Sequence, residues 1–299
     1  MDHVLTLIAP ARGPALDQAH LHAARAALKA LHATVGTPRW LKDGEAADIP
    51  FAELAPDQAE AAARAALGAA PVDLAAQATE GRRKRLLIAD MDSTIVTGET
   101  LDELADFAGL KERIAAITAR AMNGELDFAA ALRERVAMLE GLSAEALERT
   151  YERIALTRGA AALVATMRAH DAFCALVSGG FRFFTSRVRD RVGFHLDQAN
   201  DLIIEGGRLT GRVAEPILDK DAKLATLRRL AAEHALPLSA ALTVGDGAND
   251  LPMLQAAGRG VAFRAKPSVA AAARVRVDHA DLTALLWIQG YTEREVGGA

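Results

Sequence analysis

A single cysteine in 299 residues leaves no room for an intrachain disulfide framework or a multi-cysteine zinc site. That residue, Cys174, sits in the apolar run Ala172-Phe173-Cys174-Ala175-Leu176-Val177 and reads as a buried, inert thiol. Aromatic residues are only 4% of the chain, too few for stacking platforms that hold single-stranded nucleic acid. Positive charge is not in excess either. Lys and Arg number 35 against 39 Asp and Glu, a net charge of −4, which argues against a general nucleic-acid binder. No apolar run approaches the roughly 18 residues of a membrane helix. The opening Met1-Asp2-His3-Val4-Leu5 lacks the basic segment and long apolar stretch of a signal peptide. The expectation is a soluble cytoplasmic protein with no nucleic-acid or membrane partner, for which a homodimer stays open. What the chain does have is 51% hydrophobic residues, ample for a buried core. At roughly 150 residues per domain, its length suggests about two domains.

Three zones follow one another. In residues 1–84, Val4–Ile8 reads as a strand and Leu16–Leu31 as a helix with Leu21, Ala24, Leu28 and Leu31 on one stripe. Thr34–Leu41 reads as a second strand, Asp57–Leu67 as a helix and Val72–Ala75 as a short last strand, a small α+β module. The basic run Arg82-Arg83-Lys84-Arg85 reads as a solvated domain junction, with a nucleic-acid patch as the other reading. Residues 85–299 form the larger part. Leu86–Ala89 has no polar face, as in a strand buried on both sides of a parallel sheet. A helical stretch follows, an insert at about 98–158. Thr100-Leu101-Asp102-Glu103 reads as a capping box, Gly109 as a helix stop and Asn123-Gly124 as a break. Strands then alternate with helices: Phe173–Val177, a hairpin around Gly206-Gly207, helix Lys223–His234, Ala241–Val244, Gly260–Phe263 and Val275–Val277. Such alternation predicts an α/β fold, a Rossmann-like and mostly parallel sheet.

Three of these apolar strands end at a reactive polar group: Asp90, Ser178 and Asp246. In an open parallel sheet the carboxyl ends of the strands share one edge, where ligands bind. Asp90 and Asp92 leave their strand two residues apart, which can aim both carboxylates into one pocket. Neighbouring carboxylates repel and need a proton or a cation between them. Mg²⁺, a hard ion that takes carboxylates, water and phosphate oxygens, meets that need, and either Asp246 or Asp250 can complete the site. A phosphoryl group suits the constellation. One Asp can act as nucleophile and the other as acid and base. The Ser178 hydroxyl and the N–H groups of Gly179 and Gly180 can donate to phosphate oxygens, and Lys223 can offset their charge. Alone, Lys223 reads better as a solvated helix lysine.

Asp90-Met91-Asp92-Ser93-Thr94, Ser178-Gly179-Gly180, Lys223 and Gly245-Asp246-Gly247-Ala248-Asn249-Asp250 resemble, in order, the four motifs of the haloacid-dehalogenase superfamily. The runs Asp90–Gly109 and Asn123–Val136 resemble its phosphoserine phosphatases. The resemblance covers about residues 85–280. It implies that Asp90 is the nucleophile and Asp92 the general acid and base. It implies Mg²⁺ held by Asp90, the backbone carbonyl of Asp92, and Asp246. It assigns phosphate binding to Ser178 and Lys223, and places Asn249 in the site. The helical insert becomes a cap, and residues 1–84 resemble, loosely, the amino-acid-binding ACT-like modules.

Phe128, Leu132, Arg135 and Leu139 form a helical stripe. At about 100° per residue, Arg135 falls about 20° from Phe128, with Arg133 on the opposite side. An Arg on an apolar stripe needs a partner, either a structural carboxylate or a substrate carboxylate. Glu99, ahead of the first insert helix, is either a favourable acid at a helix start or the receiver of an ammonium. Together they complement an amino-acid backbone, and the resemblance implies that Glu99, Phe128 and Arg135 recognise phosphoserine. The expected reaction is hydrolysis of O-phospho-L-serine. The alternatives are transfer of the phosphoryl group to an alcohol such as homoserine, or an amino-acid-sensing regulator with a vestigial site.

Overall fold

The structure, a computed structural model, describes residues 1–10, 12–122 and 126–297, so the expected break at Asn123-Gly124 lies outside the described residues. The N-terminal strands β1 (His3–Ile8), β2 (Thr34–Val35), β3 (Arg39–Lys42), β4 (Ala46–Ala52) and β5 (Asp73–Ala78) form one antiparallel sheet. Its order is β2-β4-β1-β5, with β3 also paired to β4. Helices α1 (Gln18–Ala30) and α2 (Pro56–Leu67) cover one face. α1 opens on Asp17, whose carboxylate accepts the His20 N–H at 3.0 Å.

Two expectations here need correction. The strand read as 34–41 is two short strands, because Pro38 between them fixes φ and offers no N–H to the ladder. Strand β4 was not anticipated, since its alanines and the interior Pro50 are poor strand signals.

β1 is buried from Val4 to Ile8, although successive side chains point to opposite faces. Leu5 and Leu7 pack with α1 and α2. Ile8, Leu41, Ala46 and Ala75 instead join the core of the C-terminal part, beside the last helix. The basic run between the two parts is not solvated as expected. Arg82 and Lys84 are buried, while Arg83 and Arg85 face outward. Arg82 donates to both carboxylate oxygens of Asp48, at 2.8 and 3.1 Å, and to the carbonyls of Trp287 and Ile288. In an extended segment alternate residues face opposite sides, so a run of four charges buries two of them.

After β6 (Leu86–Ala89) come α3 (Thr100–Phe107), α4 (Lys111–Met122), α5 (Phe128–Ala137) and α6 (Glu145–Arg153). Gly109, at φ +67°, closes α3 from the left-handed region that glycine tolerates best. α7 (Ala160–Ala169) leads into β7 (Phe173–Phe181), α8 (Arg182–Val192) and β8 (Leu196–Asn200). The hairpin β9 (Leu202–Glu205) and β10 (Arg208–Val213) follows. Its tight turn puts Gly206 and Gly207 at φ +56° and +75°, the conformation such a connection requires. Then come α9 (Lys220–Glu233), β11 (Ala241–Gly245), α10 (Leu251–Ala256), β12 (Arg259–Phe263), α11 (Pro267–Ala272), β13 (Val275–Val277) and α12 (Ala284–Ile288).

The larger sheet is parallel throughout, in the order β13-β12-β11-β6-β7-β8. Leu86 and Ile88 pack toward α9, α10 and α11. Leu87 and Ala89 pack toward α7, α8 and α12. Two covered faces explain why β6 carries no polar residue. Cys174 lies on β7, where burial pushes its thiol up to about 12. No described helix is long and apolar enough to cross a membrane.

The hairpin does not extend the parallel sheet. It docks on the inserted helices: Gly141 N–H donates to Leu209, Leu209 N–H to Leu142 and Ala144 N–H to Gly207, each at 2.9 Å. The helical layer thus draws on residues 202–213 as well as on the insert read from sequence.

Candidate active site

β6 ends at Ala89 and β11 at Gly245, side by side in the sheet, so Asp90 and Asp246 emerge together at its carboxyl edge. The chain after Asp90 turns sharply through Met91–Ile95, with Ser93 at φ +55°. This turn swings Asp92 toward β7. Asp92 Oδ2 accepts the Ser178 hydroxyl at 3.1 Å, and Ser178 Oγ accepts the Gly180 N–H at 2.9 Å. A Cβ on Gly180 would stand 3.0 Å from Asp92 Oδ2, so glycine keeps this approach open.

Asp92 Oδ1 accepts the Thr100 backbone N–H at 2.8 Å. This corrects the capping box read at Thr100. Glu99 is the cap position, and Thr100 lies inside the helix with its side chain buried. The orphan N–H that a Ser or Thr cap would satisfy is met by a carboxylate from the sheet edge. A local pattern such as Thr-x-x-Glu cannot reveal an acceptor eight residues upstream. Glu99 is exposed at the cavity and accepts the Ser93 hydroxyl at 2.7 Å.

Behind Asp90 stands Lys223, which is buried rather than solvated. Its Nζ donates to Asp90 Oδ1 and, at 2.6 Å, to Asp250 Oδ1. Asp250 Oδ2 accepts the Gly247 N–H at 3.0 Å. Burial works against the Lys223 ammonium, but Asp250 and Asp90 together hold its pKa above the ordinary lysine range. Burial pushes the Asp90 carboxyl well up against the pull of Lys223, and the charges of Asp250 and Asp92 add to the push. Asp92 is pushed up to about 6 by burial and the nearby Glu99. Asp246 reaches about 6 through burial, Asp250 and Glu99. All three shifts share a first cause, burial, and neighbouring carboxylate charge adds to it.

Asp90, Asp246 and Asp250 each offer a carboxylate oxygen within 4.8 Å of the others. Three carboxylates against one lysine leave a surplus of two negative charges, and every donor is a hard oxygen. That set fits a divalent ion of the Mg²⁺ kind. Both Asp250 oxygens already accept hydrogen bonds, which makes Asp90 and Asp246 the freer pair. The Asp92 side chain is outside this group, its oxygens engaged by Thr100 and Ser178.

A cavity of about 460 Å³ opens between this edge and helices α3, α4 and α5. Asp90, Asp92, Glu99, Phe128, Arg135, Ser178, Gly179, Gly180, Asp246 and Asn249 all line it, and Lys223 lies just behind. The Phe128 ring bridges the two sides, lying 2.9 Å from where a Gly179 Cβ would be. Arg135 is half-buried, and its Nε donates to Ala131 of its own helix at 3.2 Å. Among the described residues no carboxylate pairs with it. Burial lowers its pKa, against the charges of Asp102 and Glu99. Arg133, on the far side of α5, pairs with exposed Glu215 at 2.7 Å. Sequence reasoning read Thr100 only as a helix cap and did not single out Lys266 and Ser268, yet all three line the cavity. Lys266 and Ser268 are common residues in a loop or at a helix start, with nothing in their neighbours to mark them.

The haloacid dehalogenase-like hydrolase family matches residues 87–255, more than half of the chain. A phosphoserine phosphatase of Streptomyces coelicolor is 44% identical over 237 residues, 79% of this chain and 57% of that protein. The chain therefore spans little more than half the length of that relative. A phosphoserine phosphatase of Lactococcus lactis is 43% identical over 68% of this chain and 94% of its own. Among solved structures, a phospho-aspartyl intermediate analogue of phosphoserine phosphatase superposes with a TM-score of 0.65 and 36% identity, covering 71% of this chain and 100% of that one. With the strand-end carboxylates, the buried lysine and the parallel sheet that carries them, these likenesses make the chain a member of the haloacid dehalogenase-like hydrolases, in the phosphoserine phosphatase family.

Proposed function

We propose that the chain is a Mg²⁺-dependent phosphatase that hydrolyses O-phospho-L-serine through an aspartyl-phosphate on Asp90. The observation that carries this reading is Arg135, a half-buried guanidinium with no carboxylate of its own among the described residues, in the same cavity as Asp90 and Glu99. Burying a charge is unfavourable unless it is paired, so the missing partner is a substrate carboxylate. Glu99 takes the substrate ammonium, and Phe128 packs on the carbon chain between the two.

Lys223 holds Asp90 by Oδ1, which leaves Oδ2 to attack phosphorus. As that bond forms, the bond from phosphorus to the serine oxygen breaks. Asp92 gives the leaving oxygen its proton, and a carboxyl pushed up to about 6 lies nearer neutrality than an ordinary Asp, which suits a group that must give a proton and later take one. Water then attacks phosphorus, Asp92 takes its proton, and phosphate leaves Asp90 as a free carboxylate. The Gly179 N–H and the Ser178 hydroxyl, once it turns from Asp92, orient the phosphate oxygens, while the Gly180 N–H holds Ser178 Oγ in place and Lys223 offsets charge. Mg²⁺, when bound by Asp90, Asp246 and the Asp92 carbonyl, supplies charge neutralisation.

The test is phosphate release across phosphorylated amino acids and sugars with Mg²⁺ present. Phosphoserine should give the highest kcat/KM, a chelator should stop turnover, and Mg²⁺ should restore it. Asp90→Asn should lower kcat by about a thousandfold or more, as loss of a nucleophile does. Release from sugar phosphates alone, or undiminished turnover by the Asn variant, overturns the reading.

A further inference from the structure

Four carboxylates line the cavity: Asp90, Asp92, Glu99 and Asp246. Among the described residues only two cationic side chains line it with them, Arg135 and Lys266. Lys223, the third cation nearby, is already engaged by Asp90 and Asp250. A phosphate dianion entering this site meets an excess of its own sign, and Lys266 is the cation left to receive it.

The lysine is well placed to do so. It follows β12 in a loop fastened at both ends. Arg264 N–H donates to Val277 at 2.8 Å and its guanidinium to the Ala280 carbonyl at 3.0 Å. Lys266 N–H donates to the Asp246 carbonyl at 3.2 Å, and Pro267 fixes the next backbone angle. The backbone is thus held beside Asp246 while the side chain stays exposed at the cavity wall. Among the described residues its ammonium has no acceptor, yet its charge acts on Asp246. A flexible ammonium with three rotatable donors suits a phosphate that must first be captured and then released.

We infer that Lys266 is a further phosphate-binding residue of this site, contacting an oxygen of the phosphoryl group in substrate and in product. The inference rests on the phosphatase reading, and its test separates the two. Binding of inorganic phosphate to the full chain in the presence of Mg²⁺ is measured by calorimetry for the parent, Lys266→Met and Lys266→Arg. Steady-state constants for phosphoserine are measured alongside.

Lys266→Met should weaken phosphate about tenfold, the order expected for one charge-assisted contact, and raise KM by a similar factor. It should leave kcat within about threefold, because the contact is made before and after the chemical step alike. Lys266→Arg should recover most of the affinity, which a merely structural role would not predict. Phosphate affinity and KM within twofold of the parent in Lys266→Met overturn the inference, as does a fall in kcat alone. If phosphate binding weakens as expected but phosphoserine is not hydrolysed, the substrate reading falls and the role of Lys266 stands.

Discussion

Arg135 and Lys223 are both cations inside an acidic site, yet they stand in opposite situations. Lys223 has two carboxylate partners, so its charge is balanced before any ligand arrives. Among the described residues, Arg135 has only a backbone carbonyl of its own helix. Replacing it with Met should therefore hurt the complex and spare the free protein. Arg135→Met is expected to raise KM for phosphoserine by roughly 30- to 100-fold, the range for losing a charge-assisted contact. Phosphoethanolamine, which lacks the carboxylate, should change by less than about threefold; equal losses for both esters would make Arg135 structural. At this scale the sequence was most legible where polar residues interrupt apolar strands. Asp90 and Asp246 follow the ends of their strands, Ser178 lies three residues before the end of β7, which runs on to Phe181, and the three meet at one edge because strand direction dictates it. Lys223 was legible only through family resemblance, since a lysine on a helix betrays nothing of its burial. That Asp250, as well as Asp246, turns inward follows from the tight turn at Gly245. A Cβ there would lie 2.3 Å from the Asp250 carboxylate, a closeness visible only in three dimensions.

Among elements, the hairpin β9–β10 has an effect its sequence pattern hides. Gly206-Gly207 announced the turn, but nothing in the alternation says which surface the hairpin joins. Leu209 settles it, buried against the inserted helices with its backbone bonded to Leu142 and Gly141. Because α5 carries both Phe128 and Arg135 and packs on β10, the hairpin steadies the substrate-facing side of the cavity. Leu209→Ala removes a buried side chain at that seam and should destabilise the protein by about 2–4 kcal/mol, the usual range for such a truncation. Urea unfolding checks this, with an unchanged m-value expected. The accompanying sign is a raised KM with the affinity for inorganic phosphate kept, since phosphate is held from the sheet edge. The misread capping box belongs to the same scale. A helix start reports which groups it leaves unsatisfied, but not which distant side chain will meet them.

For the molecule as a whole, the question is how firmly residues 1–84 are joined to the rest. The N-terminal sheet buries both faces, the second against α12 and its neighbours. Asp73 on β5 accepts the backbone N–H groups of Asp278, His279 and Ala280 at 2.8–3.3 Å. The Ala280 carbonyl in turn holds Arg264, in the loop that carries Lys266. A further tie is Arg82, which pairs with Asp48 inside the N-terminal part, both side chains under a tenth exposed, and from there donates across the junction to the carbonyls of Trp287 and Ile288. Arg82→Met would leave Asp48 with the Thr6 hydroxyl at 2.8 Å and, as its cation among the described residues, the exposed Arg39 at 3.5 Å. Breaking a buried pair from one side is expected to cost about 3–5 kcal/mol, whereas replacing both partners is far milder. Arg82→Met should therefore lower the melting temperature sharply, and Arg82→Met with Asp48→Asn should regain part of the loss. Calorimetry of the parent should record one cooperative transition, because the two parts share a core rather than a hinge. Two separate transitions in the parent, or an Arg82→Met variant as stable as the parent, would mean that the junction is loose and that the N-terminal sheet is an independent unit.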